Sequence, residues 1–320
     1  MKFLFILQII TSSDKNMNIS DFLIGGFAGM GAICFTNPLE VIKTRLQLQG
    51  ELAARGTYAK PYKGIIHAFV TVIRHEGWQA LEKGLVPALH FQFILNSIRL
   101  GIYKMCMNNK WIHNRNGDIS FLRGMLWGAV GGVCGSFCAS PFFMVKIQLQ
   151  AQTKTCVAVG YQHKHNGMSN AFRNILKQSG FFGLWRGATG VLPIGSSTQI
   201  ATFGKTKAIL SDYNLVIQPT LNSFCAAFAA GTVVAVAITP PDVISTRLYN
   251  QGMDVDDKGV LYKGWLDCAY KTFSIEGIPG LYKGFWANYL RQAPHSTLML
   301  LFFDLLITVR DKYQKRFKSD

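Results

Sequence analysis

The chain has 320 residues, of which 49% are hydrophobic and 16% charged, a balance that fits neither a solvated enzyme surface nor a disordered tail. Its formal charge of +16 does not indicate nucleic-acid binding, because the basic residues are spread between apolar segments and form no cluster beside aromatic side chains. Anionic lipid and anionic solute are the partners that such a charge favours.

The first ten residues combine one lysine with an apolar run and superficially resemble a secretory signal. No small-x-small cleavage site follows cleanly, and a second methionine, Met17, stands before the first long apolar segment. We expect residues 1–19 to be an N-terminal extension that is either dispensable or due to a start site assigned too early.

Six apolar segments come after this extension, each long enough to cross a bilayer and nearly free of charge. They lie at about residues 19–48, 85–108, 120–150, 188–210, 219–250 and 285–311. Small residues that let helices approach closely in lipid recur within them. Examples are Gly25, Gly26, Gly29, Gly124, Gly128 and Gly132. The sequence therefore predicts an all-α membrane bundle.

The His, Cys and carboxylate residues show no spacing that is typical of a catalytic or metal site. An enzyme is therefore the least expected class of protein. The seven cysteines include no Cys-x-x-Cys pair, and they indicate neither a zinc site nor a disulfide framework. We predict no cofactor and no metal.

An internal repeat of about 100 residues organises the chain. In each copy the first apolar segment ends in a proline-led octad: PLEVIKTR from Pro38, PFFMVKIQ from Pro141 and PPDVISTR from Pro240. A second motif follows, at Glu76-Gly77 with Lys83-Gly84, at Ser179-Gly180 with Arg186-Gly187, and at Glu276-Gly277 with Lys283-Gly284. We expect the repeats to occupy residues 20–112, 113–214 and 215–320.

These two motifs resemble the signature of the mitochondrial carrier family over nearly the whole chain from about residue 20. The resemblance implies six transmembrane helices, arranged as three tandem two-helix repeats around a pseudo-threefold axis, with short amphipathic helices in the three long loops. It also implies a monomeric, multi-pass protein of the mitochondrial inner membrane, with a solute site at mid-membrane and alternating access between two gates. Pro38, Pro141 and Pro240 would kink the odd-numbered helices inward.

The resemblance further implies a matrix gate made of ion pairs between neighbouring repeats and braced by glutamines. The expected pairs are Glu40 with Lys146 and Asp242 with Lys43, and the braces are Gln47 and Gln150. At the third position both charges are absent together, at Phe143 and Ser245, which avoids an unpaired ion in a poorly hydrated place. We therefore expect a weaker gate that still closes.

Glycines at the starts of predicted helices resemble the cardiolipin sites of the family, because helix N-termini bind phosphate through free N–H groups. They are Gly64, Gly84, Gly167, Gly187, Gly264 and Gly284.

The solute site implied by the family lies about seven residues after the glycine that opens each even-numbered helix. The predicted solute-binding residues are Arg291, Arg99, Gln92, Phe91, Asn96 and Gln199. An arginine at the membrane midplane is costly and marks a functional site, with a carboxylate or sulfate as its partner. A structural pair with Asp304, or snorkelling to lipid headgroups, is the alternative for Arg291.

Segments such as 98–101 and 195–199 look most like the subgroup around the oxaloacetate carrier and solute carrier family member 35, which implies a small dicarboxylate or divalent inorganic anion. Against this, the stretch 187–203 is three residues shorter than its counterparts 84–103 and 284–303. Such a loss shortens a helix by about 4.5 Å and rotates the residues beyond the gap by roughly 60°. A transport-impaired binding or assembly protein and a proton-leak carrier therefore remain alternatives to an anion exchanger.

Overall fold

The computed structural model describes residues 19–53, 58, 60–113, 120–153, 157–185, 219–254 and 259–318. Helices dominate this part of the chain, and an isolated β-bridge joins Met253 to Gly259. The helices are α1 (Ile19–Leu48), α2 (Ile65–Glu76), α3 (Leu85–Asn108), α4 (Phe121–Ala151), α5 (Met168–Ser179), α6 (Pro219–Asn250), α7 (Trp265–Glu276), α8 (Ile278–Leu281) and α9 (Phe285–Lys318). Two 3₁₀ turns lie at Trp78–Glu82 and Phe181–Trp185.

Four stretches within the described residues are helical, long and apolar enough to cross a membrane. They are Phe22–Leu48, Trp78–Asn108, Leu126–Ala151 and Ile278–Lys312. They overlap the predicted first, second, third and sixth spans, and the predicted fifth span coincides with α6. The predicted fourth span at 188–210, with its shortened segment, Gln199 and Gly187, lies outside the described residues.

The first long helix of each repeat continues through its proline. Pro38 lies inside α1, Pro141 inside α4 and Pro240 inside α6. A proline has no N–H and so removes one bond of the helical ladder, which is where a helix bends most easily. The inward kink at these positions stays a prediction.

Two compact units divide the chain. The first unit comprises Met1–Thr36, Leu89–Ala139 and Gln292–Asp320, and the second comprises Asn37–Ala88 and Ser140–Arg291. An apolar core of the first unit is formed by Ile24, Ala28, Ala32, Leu100, Met299 and Phe303. The second unit contains the three loop helices α2, α5 and α7, which bury one face each.

Close packing of α1 on α3 in the first unit depends on three glycines. A Cβ at Gly25 would lie 2.8 Å from the side chain of Leu100, and a Cβ at Gly29 would lie 2.4 Å from the amide of Asn96. One at Gly26 would meet Phe93 at 2.4 Å. The predicted glycine-mediated approach of this helix is therefore present.

Two further glycines of α4, which the sequence analysis did not name, allow close approach to α3. A Cβ added at Gly131 would lie 3.0 Å from the Arg99 carbonyl oxygen, and one at Gly135 would lie 2.9 Å from the Leu95 carbonyl oxygen. A Cβ added at Gly128 would meet no atom within 4 Å. Of the glycines that the sequence analysis named, Gly124 would bring a Cβ to 3.5 Å from Ile112, so α4 carries two glycine series at the same spacing of four. Spacing alone does not decide which series faces a neighbour.

Candidate functional site

Two ion pairs join the ends of the proline-containing helices in the second unit. Lys43 Nζ on α1 lies 2.6 Å from Asp242 Oδ2 on α6, and Lys146 on α4 forms an ion pair with Glu40 on α1. Each carboxylate stands two residues after its proline and each lysine five residues after, so every helix presents its charges at the same height in the repeat. These are the pairs that the sequence predicts, and their action as a gate stays a prediction.

The two predicted brace glutamines make different contacts. Gln47 Nε2 donates to Asp242 Oδ2 at 2.8 Å, and Gln47 Oε1 accepts from the hydroxyl of Thr246 at 2.9 Å. Gln150 instead accepts from the Thr44 hydroxyl at 2.9 Å and donates to Asn37 Oδ1 at 3.2 Å. Gln150 thus links α4 to α1 through neutral groups, and a bracing role for it on the Glu40–Lys146 pair stays a prediction.

Aromatic packing occupies the third position, where both charges are missing. The rings of Phe143 and Tyr249 meet edge to face with centroids 5.3 Å apart, and Lys146 Nζ lies 5.3 Å from the centroid of Phe143. The Tyr249 hydroxyl shares a 3.1 Å hydrogen bond with Ser140, while Ser245 donates to the Pro241 carbonyl at 2.6 Å. The polar atoms are satisfied locally, so the exchange of an ion pair for an aromatic pair leaves no buried charge here.

Arg291, the first predicted solute residue, lies against Glu40 in the second unit. Its Nη1 is 3.0 Å from Glu40 Oε1, and its Nη2 donates to Asn288 Oδ1 at 3.4 Å. Its side chain is 16% exposed, and its Nε is buried without a hydrogen-bond acceptor among the described residues. A structural partner for Arg291 therefore exists, but it is Glu40 rather than the Asp304 considered from the sequence.

The charges of this cluster do not balance. Lys43, Lys146 and Arg291 contribute three positive charges, whereas Glu40 and Asp242 contribute two negative ones. Glu40 alone serves two cations. A small anion that reached Arg291 would meet both an excess of positive charge and a buried N–H without an acceptor.

Four of the other predicted solute residues lie in the first unit, where three of them join a buried line of hydrogen bonds. This line runs through Thr36, His295, Gln92, Asn96 and Arg99. Gln92 is 7% exposed, Asn96 4% and His295 5%. The fourth residue, Phe91, is half-buried beside Gln92 on α3. Sequence reasoning missed Thr36 and His295, although a histidine within a predicted apolar span was a usable signal.

Ion-pair triads in the first and third repeats were also missed as functional groups. Arg45 is fully buried and binds Glu76, which also receives Lys83 at 2.7 Å. The third repeat has the same arrangement in Arg247, Glu276 and Lys283. The second repeat has lost it, since Gln148 replaces the arginine and Ser179 replaces the acid. This joint loss of opposite charges was the signal that the residues touch.

The triads tie neighbouring repeats together at the ends of the long helices. Arg45 Nε donates to the carbonyl of Gln150 at 3.1 Å, which connects the first repeat to the second. Lys283 donates to the carbonyl of Gln49 at 2.8 Å, which connects the third repeat to the first. Between the second and third repeats the neutral Gln148 donates to the Tyr249 carbonyl at 3.1 Å.

The described glycines that are predicted to bind cardiolipin fall into two groups with different surroundings. Gly64, Gly167 and Gly264 stand at the starts of α2, α5 and α7, and a Cβ on any of them would meet no atom within 4 Å. Gly84 and Gly284 have φ of +73° and +72° and pack closely on α4 and α1, so a side chain there is strained. Gly64 and Gly284 line one groove of about 930 Å³ together with Lys63, Tyr282 and Trp286.

Comparison with known proteins agrees with this architecture. Residues 14–114, 117–214 and 218–313 each match the family model described as mitochondrial carrier protein. Solute carrier family 25 member 35 of Mus musculus is 47% identical over 299 residues, which cover 92% of this chain and 100% of the relative.

Two fungal relatives are similar over the same extent. The mitochondrial oxaloacetate transport protein of Schizosaccharomyces pombe is 36% identical over 302 residues, covering 93% of this chain and 92% of the relative. The mitochondrial citrate transporter E of Aspergillus niger is 34% identical over 305 residues, covering 93% and 96%. The predicted fold of three tandem two-helix repeats is confirmed. The chain therefore belongs to the mitochondrial carrier family, whose members are membrane transporters.

Proposed function

We propose that the protein exchanges a small anion, a dicarboxylate such as oxaloacetate or inorganic sulfate, across the mitochondrial inner membrane by alternating access. The observation that carries the proposal is the position of Arg291, which pairs with Glu40 inside a cluster of net positive charge. The functions named for the two fungal relatives, oxaloacetate and citrate transport, support an anionic solute.

The Glu40–Arg291 pair gives the anion a way to act on the gate. A guanidinium binds carboxylate or sulfate through two parallel hydrogen bonds, so an arriving anion competes with Glu40 for Arg291. Glu40 keeps Lys146 as its partner when Arg291 leaves, and no carboxylate is left unpaired. Solute binding would in this way weaken one tie between α9 and α1, and an anion that binds one conformation better shifts the population towards it.

Opening of the proposed matrix gate would separate the two ion pairs, Glu40–Lys146 and Lys43–Asp242, and the aromatic contact between Phe143 and Tyr249. Each buried pair contributes modestly once the desolvation of its charges is counted, so the gate is reversible. The brace from Gln47 to Asp242 adds a charge-assisted hydrogen bond to one pair. These contacts support alternating exchange by a monomer.

Cardiolipin is the lipid partner that we propose for the groove between Gly64 and Gly284. Free N–H groups at the N-termini of α2 and α9 would bind its phosphates, and Lys63 supplies a cation at the same groove. The open space beside Gly64, in which an added Cβ meets no atom, supports close approach of a phosphate. Equivalent lipids would use Gly84 with Gly167 and Gly187 with Gly264.

Uptake of labelled malonate or sulfate into liposomes preloaded with unlabelled anion tests the proposed exchange. We expect Arg291→Gln to lower uptake by about 100-fold, because the anion loses its bidentate partner, while Arg74→Gln on the exposed end of α2 leaves uptake unchanged. Equal uptake by both variants would remove Arg291 from the solute site.

Thermal unfolding across a panel of anions separates an exchanger from a transport-impaired carrier-like protein. An exchanger is stabilised by its solute in proportion to the logarithm of concentration, whereas a protein without a solute site shows no anion-specific shift. The impaired alternative rests on the shortened stretch 187–203, which lies outside the described residues.

A further inference from the structure

Residues 157–165 of the second long loop, called the strap below, contact the ends of all three proline-containing helices. Gln162 fixes the strap to α4, because its amide nitrogen donates to the carbonyl of Ala151, the last residue of that helix, at 3.2 Å. α1 ends at Leu48 and α6 at Asn250, and the strap contacts both residues. The strap therefore joins the three repeats beyond their long helices.

The first repeat holds the strap mainly by apolar packing. Val157 and Val159 are each 6% exposed and share a core with Leu48 and Tyr62. The Tyr62 hydroxyl donates to the Val157 carbonyl at 3.0 Å. Water cannot replace apolar packing, so separation of the strap from this repeat would expose two valines at a cost in free energy.

The third repeat holds the strap by hydrogen bonds. A carbonyl can only accept, so His163 Nε2 donates its proton to the Asn250 carbonyl at 3.0 Å. The Asn250 amide nitrogen donates in turn to the Tyr161 carbonyl at 3.2 Å. Burial lowers the pKa of His163 to about 4, so the ring is neutral near pH 7. Both bonds to α6 are therefore bonds between neutral groups.

Gly160 lies in the narrow space between the ends of α1 and α6. Its φ of +65° favours glycine, and an added Cβ would lie 3.2 Å from the Leu48 Cβ and 2.5 Å from the Asn250 amide nitrogen. One residue of the strap thus approaches both helices closely. The two helix ends cannot move apart unless the strap leaves one of them.

The strap also crosses the junction at which the charges of the ion-pair triads are missing. At the other two junctions Arg45 and Lys283 donate to carbonyls of the neighbouring repeat. The second repeat has Gln148 in place of the arginine, and the bonds of Tyr161 and His163 add to its contact with the third repeat. Neutral hydrogen bonds that break in contact with water leave no ion unpaired, so this junction separates at the lowest cost.

We propose that the strap is a latch of the matrix gate, which stays with α1 and α4 throughout the transport cycle and releases α6 each time the gate opens. The inference rests on the proposed anion exchange and adds a part of the second loop to the gate. The Lys43–Asp242 pair lies on the same two helices, five residues before the end of α1 and eight before the end of α6. Separation of this pair therefore moves apart the two ends that the strap connects.

Two reversible disulfides that share one cysteine test the latch. In Gly160→Cys with Asn250→Cys the new Cβ lies 2.5 Å from the amide that the second cysteine replaces, and the bond would tie the strap to α6. We expect oxidation to abolish exchange of labelled malonate or sulfate in liposomes, and reduction to restore it. The matched control is Gly160→Cys with Leu48→Cys, whose Cβ atoms are 3.2 Å apart, and its oxidised form should still exchange.

His163→Ala tests the latch without a residue at the constrained Gly160. Loss of one bond to α6 lowers the population with a closed matrix gate, so the half-saturating anion concentration on the opposite side should rise by up to about fivefold. A strap that is bound to α6 in every conformation would lose stability without such a change. The control His75→Ala, at an exposed position of α2, should keep the wild-type value.

The outcomes separate the latch from the transport that it serves. Exchange by the oxidised protein linked to α6, or an unchanged half-saturating concentration in His163→Ala, would overturn the latch and leave anion exchange standing. Loss of exchange in both oxidised proteins would overturn the assignment of α6 as the helix that is released. The absence of exchange by the wild type would overturn the proposed function and the latch with it.

Discussion

Glu40 on α1 receives Arg291 of α9 on one carboxylate oxygen at 3.0 Å and Lys146 of α4 on the other. One acid therefore connects the predicted solute arginine to a predicted gate pair. The solute residue and the gate are not independent, because any change in the charge of Glu40 alters both.

Glu40→Gln tests this dependence. Removal of one member of a buried ion pair costs about 3–5 kcal/mol, so we expect a lower unfolding temperature in the absence of solute. Arg291 would be released from its internal competitor, and the half-saturating anion concentration should fall by about tenfold. Thermal unfolding and uptake assays measure the two effects.

The matched variant for Glu40→Gln is Lys146→Gln. It also breaks the pair, but Glu40 would then rely wholly on Arg291 and compete more strongly with the anion. We therefore expect equal loss of stability and weaker anion binding. The same change in affinity for both variants would show that Glu40 does not compete for Arg291.

Gly64→Asp separates lipid binding from folding in the groove lined by Gly64 and Gly284. The backbone of Gly64 is extended and an added Cβ meets nothing, so lipid-free stability should change by less than about 0.5 kcal/mol. The new carboxylate repels phosphate at the start of α2, and stabilisation by added cardiolipin should be largely lost.

The control for that experiment is Gly284→Ala. Its φ of +72° disfavours alanine, and the Cβ would lie 3.0 Å from Gln47, so stability should fall even without lipid. Full retention of the cardiolipin effect in Gly64→Asp would exclude the groove as a phosphate site.

Glu51, which follows α1, should make stability depend on pH near neutrality. Burial raises the pKa of Glu51 to about 7 from 4.5, against the opposing influence of Arg247 and of the hydrogen bond that the Tyr262 hydroxyl donates at 2.9 Å. The folded protein then holds a proton that the unfolded chain releases above 4.5. This contribution to stability is complete at lower pH and is lost as the pH rises through about 7.

We therefore expect the wild type to lose stability between about pH 4.5 and pH 7, with a flat profile above that, and Glu51→Gln to be flat over the same window. Asp267→Asn is the control, because a hydrogen bond from Lys271 holds the pKa of Asp267 below 3.8 and its effect falls at acidic pH. Thermal unfolding in a series of buffers gives both profiles, and parallel wild-type and Glu51→Gln curves would contradict the assignment.

The sequence predicted the gate pairs because the proline-led motif recurs three times, and residues at the same distance from each proline lie at the same level of their helices. Glu40–Arg291 was not predictable in that way, since the counterpart of Arg291 in the first repeat is the uncharged Phe91, and the repeat therefore gives no charge pattern at this position. His295 meets Thr36 and Gln92 across separations of 259 and 203 residues, which no local pattern specifies. The approach of Gly131 and Gly135 to α3 was also not predicted, because two glycine series of α4 share one spacing.

The neutral second repeat offers a test of the ion-pair triads by reconstruction. Gln148 is 4% exposed and binds the Tyr249 carbonyl and His165, in the place that Arg45 and Arg247 hold in the other copies. Gln148→Arg alone buries an unpaired cation and should lower stability by about 3–5 kcal/mol. Ser179→Glu alone sits at a half-buried position and should change stability by less than about 1 kcal/mol.

The double variant Gln148→Arg with Ser179→Glu should recover most of that loss, because the acid would stand where Glu76 and Glu276 meet their arginines. Thermal unfolding of the wild type, both single variants and the double variant gives the interaction energy between the two positions. A favourable interaction of about 2 kcal/mol or more is expected, since the pair is buried and directly hydrogen-bonded. Additive effects would mean that the second repeat has rearranged beyond the loss of two charges.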